Sequence, residues 1–427
     1  MKRLKEKINT VRIVSTSKEK INSQKFLSEA KMRSQDFTRD RKMPFDKLVL
    51  FMLNMVKTST KTALNRFFEL IGKPEVEMTQ QAFSLARQKI NWTAFYDLFL
   101  MTVNETYSFY YETWNGYRVA AIDGIKIQLP VDDDLREQFG TAGKGNTSPT
   151  AQGSALYDVY NNIIMDAHME PIKTDERTMA FMHIDALCSL PSFKENKELI
   201  LFDRGYASFD LIAYLKSNDI HFLMRIRKKF NKSIDNLPIG DHSVTLKKKD
   251  EDDIIVRVLK FLLPSGEIET LITNITDKGM DTSAFKELYF KRWPIETKYN
   301  EIKNKLEVEN FSTLTENGVM QDFFISMYMS NVVAIGCMEA QSAIDEEYEC
   351  KDVIYDRHIN VNDAIGTYKD RFIAAILEPR RRVRDKKVER ILFLLIKSTV
   401  PIRPGRSRPR NPSPRKSKFH HNKKSNC

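Results

Sequence analysis

Between Tyr117 and Ile226 the chain switches repeatedly between strand-like and helix-like patterning, and that order restricts the folds open to it. Strand-like residues run from Tyr117 to Ile122 and from Ile125 to Leu129, on either side of Asp123-Gly124. A second pair of runs, Ser154 to Tyr160 and Ile163 to His168, is joined at Asn161-Asn162. Helical periodicity follows from about Asp175 to Leu187, then a short apolar run, Glu198 to Phe202, leads straight into Asp203. A helix near Ser208 to Ser217 and a strand from Ile220 to Ile226 complete the pattern. The order β-β-β-α-β-α-β predicts an α/β domain with a mixed sheet. Asp123 and Asp203 each end an apolar run. If those two strands are neighbours, the carboxylates meet at one edge of the sheet, where the ligands of open sheets collect. Each also has a plainer reading, since Asp-Gly and Asp-Arg-Gly are both ordinary turn sequences.

The flanks are helical in pattern. Pro44 opens a stripe of Phe45, Leu48, Val49, Met52 and Val56, and a second helix from about Thr62 to Ile71 stops at Gly72-Lys-Pro74. Thr79 fits as the N-cap of a helix to Ile90 whose exposed side carries Gln81, Ser84, Arg87 and Gln88. These helices fit a helix-turn-helix DNA reader or an ordinary small helical domain equally well. After residue 228 come three strand-like runs, Ser243 to Lys247, Ile254 to Leu262 and Ile268 to Asn274, which read as a β-rich insertion. Asn115-Gly116 is a hairpin-type turn before the first strand. The apolar window Phe323 to Ala340 is interrupted by Ser326, Ser330, Asn331 and Glu339, so a buried core helix is expected and no membrane partner.

Charge is distributed unevenly. Residues 1–42 carry a net +8 and residues 400–427 a net +9, which leaves the body at −6 within the total of +11. Basic ends around a mildly acidic body fit contact with a polyanion, most simply nucleic acid, although basic tails also serve solubility. Cys188, Cys337, Cys350 and Cys427 form no C-x-x-C, which argues against a structural zinc site and for a reducing cytoplasm. The polar stretch Met1 to Lys42 does not have the form of a signal peptide.

Downstream of the strands lies Tyr289-Phe-Lys-Arg292-Trp-Pro-Ile-Glu296, followed by Lys303. On one continuous helix these four groups would fall at about 0°, −60°, −20° and −40°, a single side. Pro294 forbids that continuity, since it lacks an amide hydrogen and clashes with the preceding turn. The helix is therefore kinked or restarted there, and only Glu296 and Lys303, about 10.5 Å apart along the axis, share a face with certainty. Asp123, Asp203 and Glu296 together could hold one or two hard cations such as Mg²⁺. Arg292 and Lys303 would then neutralise phosphate charge and Tyr289 would hydrogen-bond it.

This ordered set resembles bacterial insertion-sequence transposases of the D-D-E class, in the family with the signature Y-(2)-R-(3)-E-(6)-K. Tyr289, Arg292, Glu296 and Lys303 keep that spacing. Asp123 in Ala-Ile-Asp-Gly and Asp203 in Leu-Phe-Asp-Arg-Gly-Tyr match the family's two earlier acidic positions. The resemblance covers roughly residues 35–345, including Asp36-Phe-Thr-Arg-Asp-Arg-Lys-Met-Pro44. It implies a ribonuclease-H-like core with Mg²⁺ or Mn²⁺, two ions, on Asp123, Asp203 and Glu296. It also implies a homodimer acting on double-stranded DNA, at terminal inverted repeats and a target, in the cytoplasm at the nucleoid. Trp293 is a candidate for stacking on an unpaired base, against a core role beside apolar neighbours. The expected organisation is an N-terminal helical, end-binding domain (1–110), core (111–227), β-rich insertion (228–282), core with the Glu helix (283–345), a C-terminal helical region (346–400) and a basic tail (401–427). A nuclease without strand transfer, or a catalytically silent DNA-binding derivative, are the alternatives.

Overall fold

Side-chain caps open most of the helices before the first strand. The computed structural model describes residues 7–39, 41–54, 59–143, 145, 147–249, 251–277, 279–348 and 355–403. The chain divides into two compact units, one of Met1–Lys7 with Phe99–Asn331 and one of Ile8–Leu98 with Val332–Cys427. In the latter, Asn9 accepts from the amide of Arg12 to start α1 (Thr10–Ile21), and Ser23 accepts from that of Phe26 to start α2 (Gln24–Ala30). Periodicity through residues 1–42 is weak because the buried stripe of α1 includes Thr10 and Ser17 beside Ile13, Val14 and Ile21. Pro44 precedes α3 (Phe45–Leu53), which buries Phe45, Leu48, Val49 and Met52 as expected, while Val56 lies outside the described residues. Ser59 and Thr79 cap α4 (Thr60–Leu70) and α5 (Gln80–Arg87). Residues 71–79 between these two helices outrun the three or four residues of a helix-turn-helix turn. Gln81, Ser84 and Gln88 are exposed, but Arg87 is buried, against expectation. The last helix before the sheet is α6 (Thr93–Tyr107).

The other unit is built on one sheet. Asn115 and Gly116, at φ 47° and 81°, make the expected tight turn into β1 (Tyr117–Gln128). β1 does not end at Asp123-Gly124. It continues in register with β2 (Thr150–Asp158) through Asp123↔Ala155 and Gly124↔Ser154. The acid run Asp132 to Asp134 opens α7 (Asp133–Phe139), with Asp132 as its cap and Asp133 and Asp134 in a first turn that favours negative charge. β3 (Ile163–Pro171), α8 (Glu176–Ser189), β4 (Lys197–Phe202), α9 (Phe209–Ser217) and β5 (His221–Arg225) follow in the expected order. A short helix, α10 (Lys232–Asp235), then precedes β6 (Gly240–Leu246), β7 (Ile254–Leu262) and β8 (Ile268–Thr273). All eight strands form one mixed sheet in the order β3-β2-β1-β4-β5-β8-β7-β6, so the strands after residue 228 extend the same sheet through β8 beside β5. β1 pairs parallel with β4, and β4 with β5.

Burial explains why the sheet holds. All nine residues of β2 are buried, and Phe202 and Phe222 are fully enclosed, each contributing about 1.5–3 kcal/mol. Arg118 on β1 is also fully enclosed, opposite Glu198 on β4. Its Nε donates to Glu198 at 2.9 Å and its guanidinium stacks 4.3 Å from the Tyr107 ring centroid. A buried charge is tolerable only because both members are paired.

The chain goes on through α11 (Thr282–Phe290) and α12 (Pro294–Asn304) to α13 (Glu316–Tyr348), the helix that contains the window Phe323 to Ala340. By length and composition α13 could cross a membrane, but 89% of its apolar window is buried within the protein, as for a core helix. Then come β9 (Arg357–Ile359), α14 (Val361–Leu377), α15 (Arg381–Lys397) and β10 (Thr399–Pro401), with β9 and β10 antiparallel and α14 packed on α1 and α15. The basic tail beyond residue 403 lies outside the described residues.

Candidate active site

The parallel register of β1 with β4 ends at Ala121↔Leu201. Asp123 stands two residues further along β1, and Asp203 directly follows Phe202, the last residue of its parallel neighbour β4. Asp123 is mid-strand, and β4 ends where β1 continues. At Asp203 the chain turns, with the Tyr206 amide donating to the Asp203 carbonyl at 3.1 Å.

Pro294 restarts the helix rather than kinking it. α11 ends at Phe290, residues 291–293 form a turn, and Pro294 opens α12, where its missing amide hydrogen costs nothing. Glu296 therefore lies in the first turn of a helix, where the helix dipole favours a carboxylate. The break folds the motif back on itself. Tyr289 is buried on α11 and its hydroxyl donates to the carbonyl of Phe202, just before Asp203, at 3.4 Å. Arg292, 6% exposed, places Nη1 3.4 Å from Asp123 Oδ2 and Nη2 3.2 Å from Glu296 Oε1. One guanidinium thus ties the first acidic strand to the acidic helix. Trp293 is half exposed, outside the core, with the Arg292 guanidinium 5.7 Å from its ring centroid. Lys303 donates to the carbonyl of Lys126 on β1 and pairs with Glu309 at 3.3 Å.

Burial pushes the Asp123 carboxyl up to about 6, against the pull of Arg292 and of the Gly124 amide, with Glu176 and Glu296 adding to the rise. Burial works against the Arg292 charge, but Tyr289, Asp123 and Asp203 outweigh it and hold its proton more tightly than usual. Burial, then the charge of Asp203, raises Tyr289 above the ordinary phenol range. Arg292 Nε and the Tyr206 hydroxyl are among the buried polar atoms that have no hydrogen-bond partner among the described residues.

Several contributors have no spacing signal in the sequence. The main-chain carbonyl of Asp123 accepts from Ser154 Oγ at 3.1 Å and from the Tyr299 hydroxyl. Ser154 Oγ lies 2.9 Å from His183 Nε2, and His183 Nδ1 lies 2.7 Å from Asp166 Oδ2. Burial opposes the charge of Asp166, but the hydrogen bonds of His168 and His183 outweigh it and hold the carboxyl below the usual range. Ser154, His183 and Asp166 are each at most 2% exposed, so this serine cannot meet a substrate. The chain of bonds braces the strand at Asp123. Tyr299 alone was open to discovery, one helical turn beyond Glu296.

Among the described residues, Asp166, His168 and His183 form the one His/Cys/Asp/Glu trio whose ligand atoms lie within 4.8 Å of one another. The Arg292 guanidinium lies between Asp123 and Glu296. The chemistry of Asp123, Asp203 and Glu296 still suits a hard divalent cation. All the donors are carboxylate oxygens, and burial, with Glu176 and Glu296 adding to it, disfavours the charged form of Asp123.

Residues 114–332, a little over half of the chain, match the family model described as a transposase DDE domain. The chain is 27% identical over 197 residues to the Escherichia coli (strain K12) protein InsZ, which bears a transposase name, covering 44% of this chain and 62% of that one. It is 23% identical to the transposase InsG for insertion sequence element IS4 of the same organism, over 63% of this chain and 64% of that one. To the transposase for insertion sequence element IS1151 of Clostridium perfringens it is 22% identical, over 71% of this chain and 61% of the relative. The chain thus spans about three fifths of the length of these relatives. The cryo-EM structure of a piggyBac transposase synaptic complex with hairpin DNA aligns over 88% of this chain and 85% of that chain, with 9% identity and a TM-score of 0.49. At that score the likeness carries no argument about fold or chemistry.

Proposed function

Because this chain belongs to the transposase DDE domain family, we propose that it is a DNA transposase that binds the terminal inverted repeats of its own insertion sequence and catalyses metal-dependent strand cleavage and strand transfer. The family implies a divalent metal, which we take to be Mg²⁺ or Mn²⁺, as two ions on Asp123, Asp203 and Glu296. The observation that carries this reading is the joining of Asp123 and Glu296 by Arg292, on the strand next to the one that leads into Asp203. The sheet order supports a ribonuclease-H-like core.

When bound, such ions activate the attacking oxygen and steady the leaving one during in-line displacement at phosphorus. The protein's own groups account for the rest. Arg292 compensates two carboxylates before substrate arrives. Tyr289 fixes the end of β4 through the Phe202 carbonyl, which sets where Asp203 begins. Ser154 and Tyr299 hold the Asp123 main chain, so its carboxylate is aimed by a rigid strand rather than a loop. Trp293, half exposed beside Arg292, is placed to stack on an unpaired base. Lys303 contributes positive charge along the same helix. We assign the N-terminal helices to binding of the element's ends, and propose a homodimer on double-stranded DNA, acting at the nucleoid in the cytoplasm.

The test is cleavage of a supercoiled plasmid that carries the element's two ends, with Mg²⁺. Wild type cuts at the ends and joins them to target DNA, whereas Glu296→Gln does neither while still retarding end DNA in a gel. Full cutting by Glu296→Gln would remove the assignment. Cutting without joining by wild type would favour a nuclease.

A further inference from the structure

Glu176 is the first residue of α8, and no step above uses it. Its helix is anchored at that end by its neighbours. Asp175 caps it through the amides of Arg177 and Thr178. The Nε of Arg177 donates at 3.1 Å to the carbonyl of Gly205, two residues beyond Asp203. Glu176 is thereby held close to the turn that carries the second acidic residue.

On its other side Glu176 reaches Gly124, the residue that follows the first acidic one. A Cβ built on Gly124 would meet Glu176 Oε1 at 2.6 Å, Glu176 Cδ at 2.9 Å and Gln152 Nε2 at 2.9 Å. Gly124 sits inside a strand with ordinary pairing, so a turn is not what requires glycine there. The Glu176 carboxylate takes the space a side chain would fill at Gly124, the residue after Asp123, and its charge adds to the rise of the Asp123 carboxyl. It is exposed to solvent.

A separate observation points to something bound among these groups. The Tyr206 side chain is 1% exposed and its hydroxyl has no hydrogen-bond partner among the described residues. Burial acts on it most, and the carboxylates that add to this are Glu176 first, then Asp123 and Asp203. A buried hydroxyl in such company normally has a partner, commonly an ordered water. Hard cations that keep several of their waters provide one.

The geometry points to Glu176 as a fourth carboxylate of the metal site, holding a divalent cation with Asp123 and Asp203 through a water bonded to the Tyr206 hydroxyl. This rests on the proposed function, since it takes Asp123 and Asp203 as ligands. It also accounts for charge: two divalent ions among three carboxylates and Arg292 leave an excess of positive charge, which a fourth carboxylate reduces.

The experiment is a calorimetric titration of the full chain with Mn²⁺ alone, without DNA, on wild type, Glu176→Gln, Gly124→Ala and Asp123→Asn, with a thermal melt of each. Glu176→Gln keeps the shape of an exposed side chain and removes its charge. Gly124→Ala keeps the charge and displaces the carboxylate. Both are expected to weaken Mn²⁺ binding at least tenfold, as Asp123→Asn does, while melting cooperatively. Wild-type Mn²⁺ binding by a folded Glu176→Gln, with binding lost in Asp123→Asn, overturns the role of Glu176 and leaves the metal site standing. Wild-type binding by both Glu176→Gln and Asp123→Asn overturns the inference and the metal assignment together. Should Glu176→Gln not fold, Gly124→Ala decides on the same criterion.

Discussion

Asp123→Asn should make the metal-free protein more stable at neutral pH. Burial, with Glu176 and Glu296 adding to it, raises the Asp123 carboxyl from 3.8 to about 6 despite Arg292. Between those two values the folded state binds more protons than the unfolded one. The contribution of this group is therefore fully favourable below pH 3.8 and is lost as pH rises through about 6. A tenfold change in proton affinity is worth about 1.4 kcal/mol, so the ionised carboxylate costs the folded state about 3 kcal/mol at pH 7.5. The side chain is 24% exposed, and solvent screening brings the expectation to about 2 kcal/mol. Asparagine keeps the neutral shape and avoids this cost. The assay is urea unfolding in EDTA, read by hydrogen exchange on β1 and β4 peptides, which report the unit that bears the site. Asp123→Asn should gain about 2 kcal/mol at pH 7.5 and nothing near pH 3.5. Equal or lower stability of the variant at pH 7.5 would refute the claim that this carboxylate waits, undercompensated, for a cation.

Arg292→Ala removes the guanidinium between Asp123 and Glu296, so Mn²⁺ should bind more tightly by calorimetry while end cleavage falls about 10²–10³-fold; weaker Mn²⁺ binding would contradict the compensating role. Glu198→Ala leaves Arg118 buried and unpaired and should destabilise the sheet by about 3–5 kcal/mol in urea. Replacing the pair together, Arg118→Met with Glu198→Leu, should lose far less than Glu198→Ala alone. Trp293→Ala should shift stability by less than about 0.5 kcal/mol, as for an exposed position. The same change should weaken binding of single-stranded DNA by about 1–3 kcal/mol in a fluorescence titration.

What could be read from the sequence was local. Thr79, Asp175 and Ser208 announce helix starts because their side chains cap amides two or three residues on, and Asn115-Gly116 announces its turn by backbone preference alone. Pro294 likewise forecast the division of the acidic motif, by steric rules that need no partner. What escaped depends on distant groups. Gly124 looked like a turn because its reason, the Glu176 carboxylate in the place of a Cβ, lies 52 residues away in sequence. The first helix was obscured by Thr10, whose amide and hydroxyl bind Glu339 at 2.7 Å, 329 residues away. The three acidic residues were visible by type and order, but the pairing of Arg292 with two of them follows only from the restarted helix.

The central claim is that Asp123, Asp203 and Glu296 form one metal site. The most direct measurement is anomalous diffraction from crystals of the protein soaked in Mn²⁺. The account predicts anomalous peaks within about 2.0–2.3 Å of carboxylate oxygens of all three residues. Peaks confined to Asp166, His168 and His183, or none at the strand-end carboxylates, would contradict it.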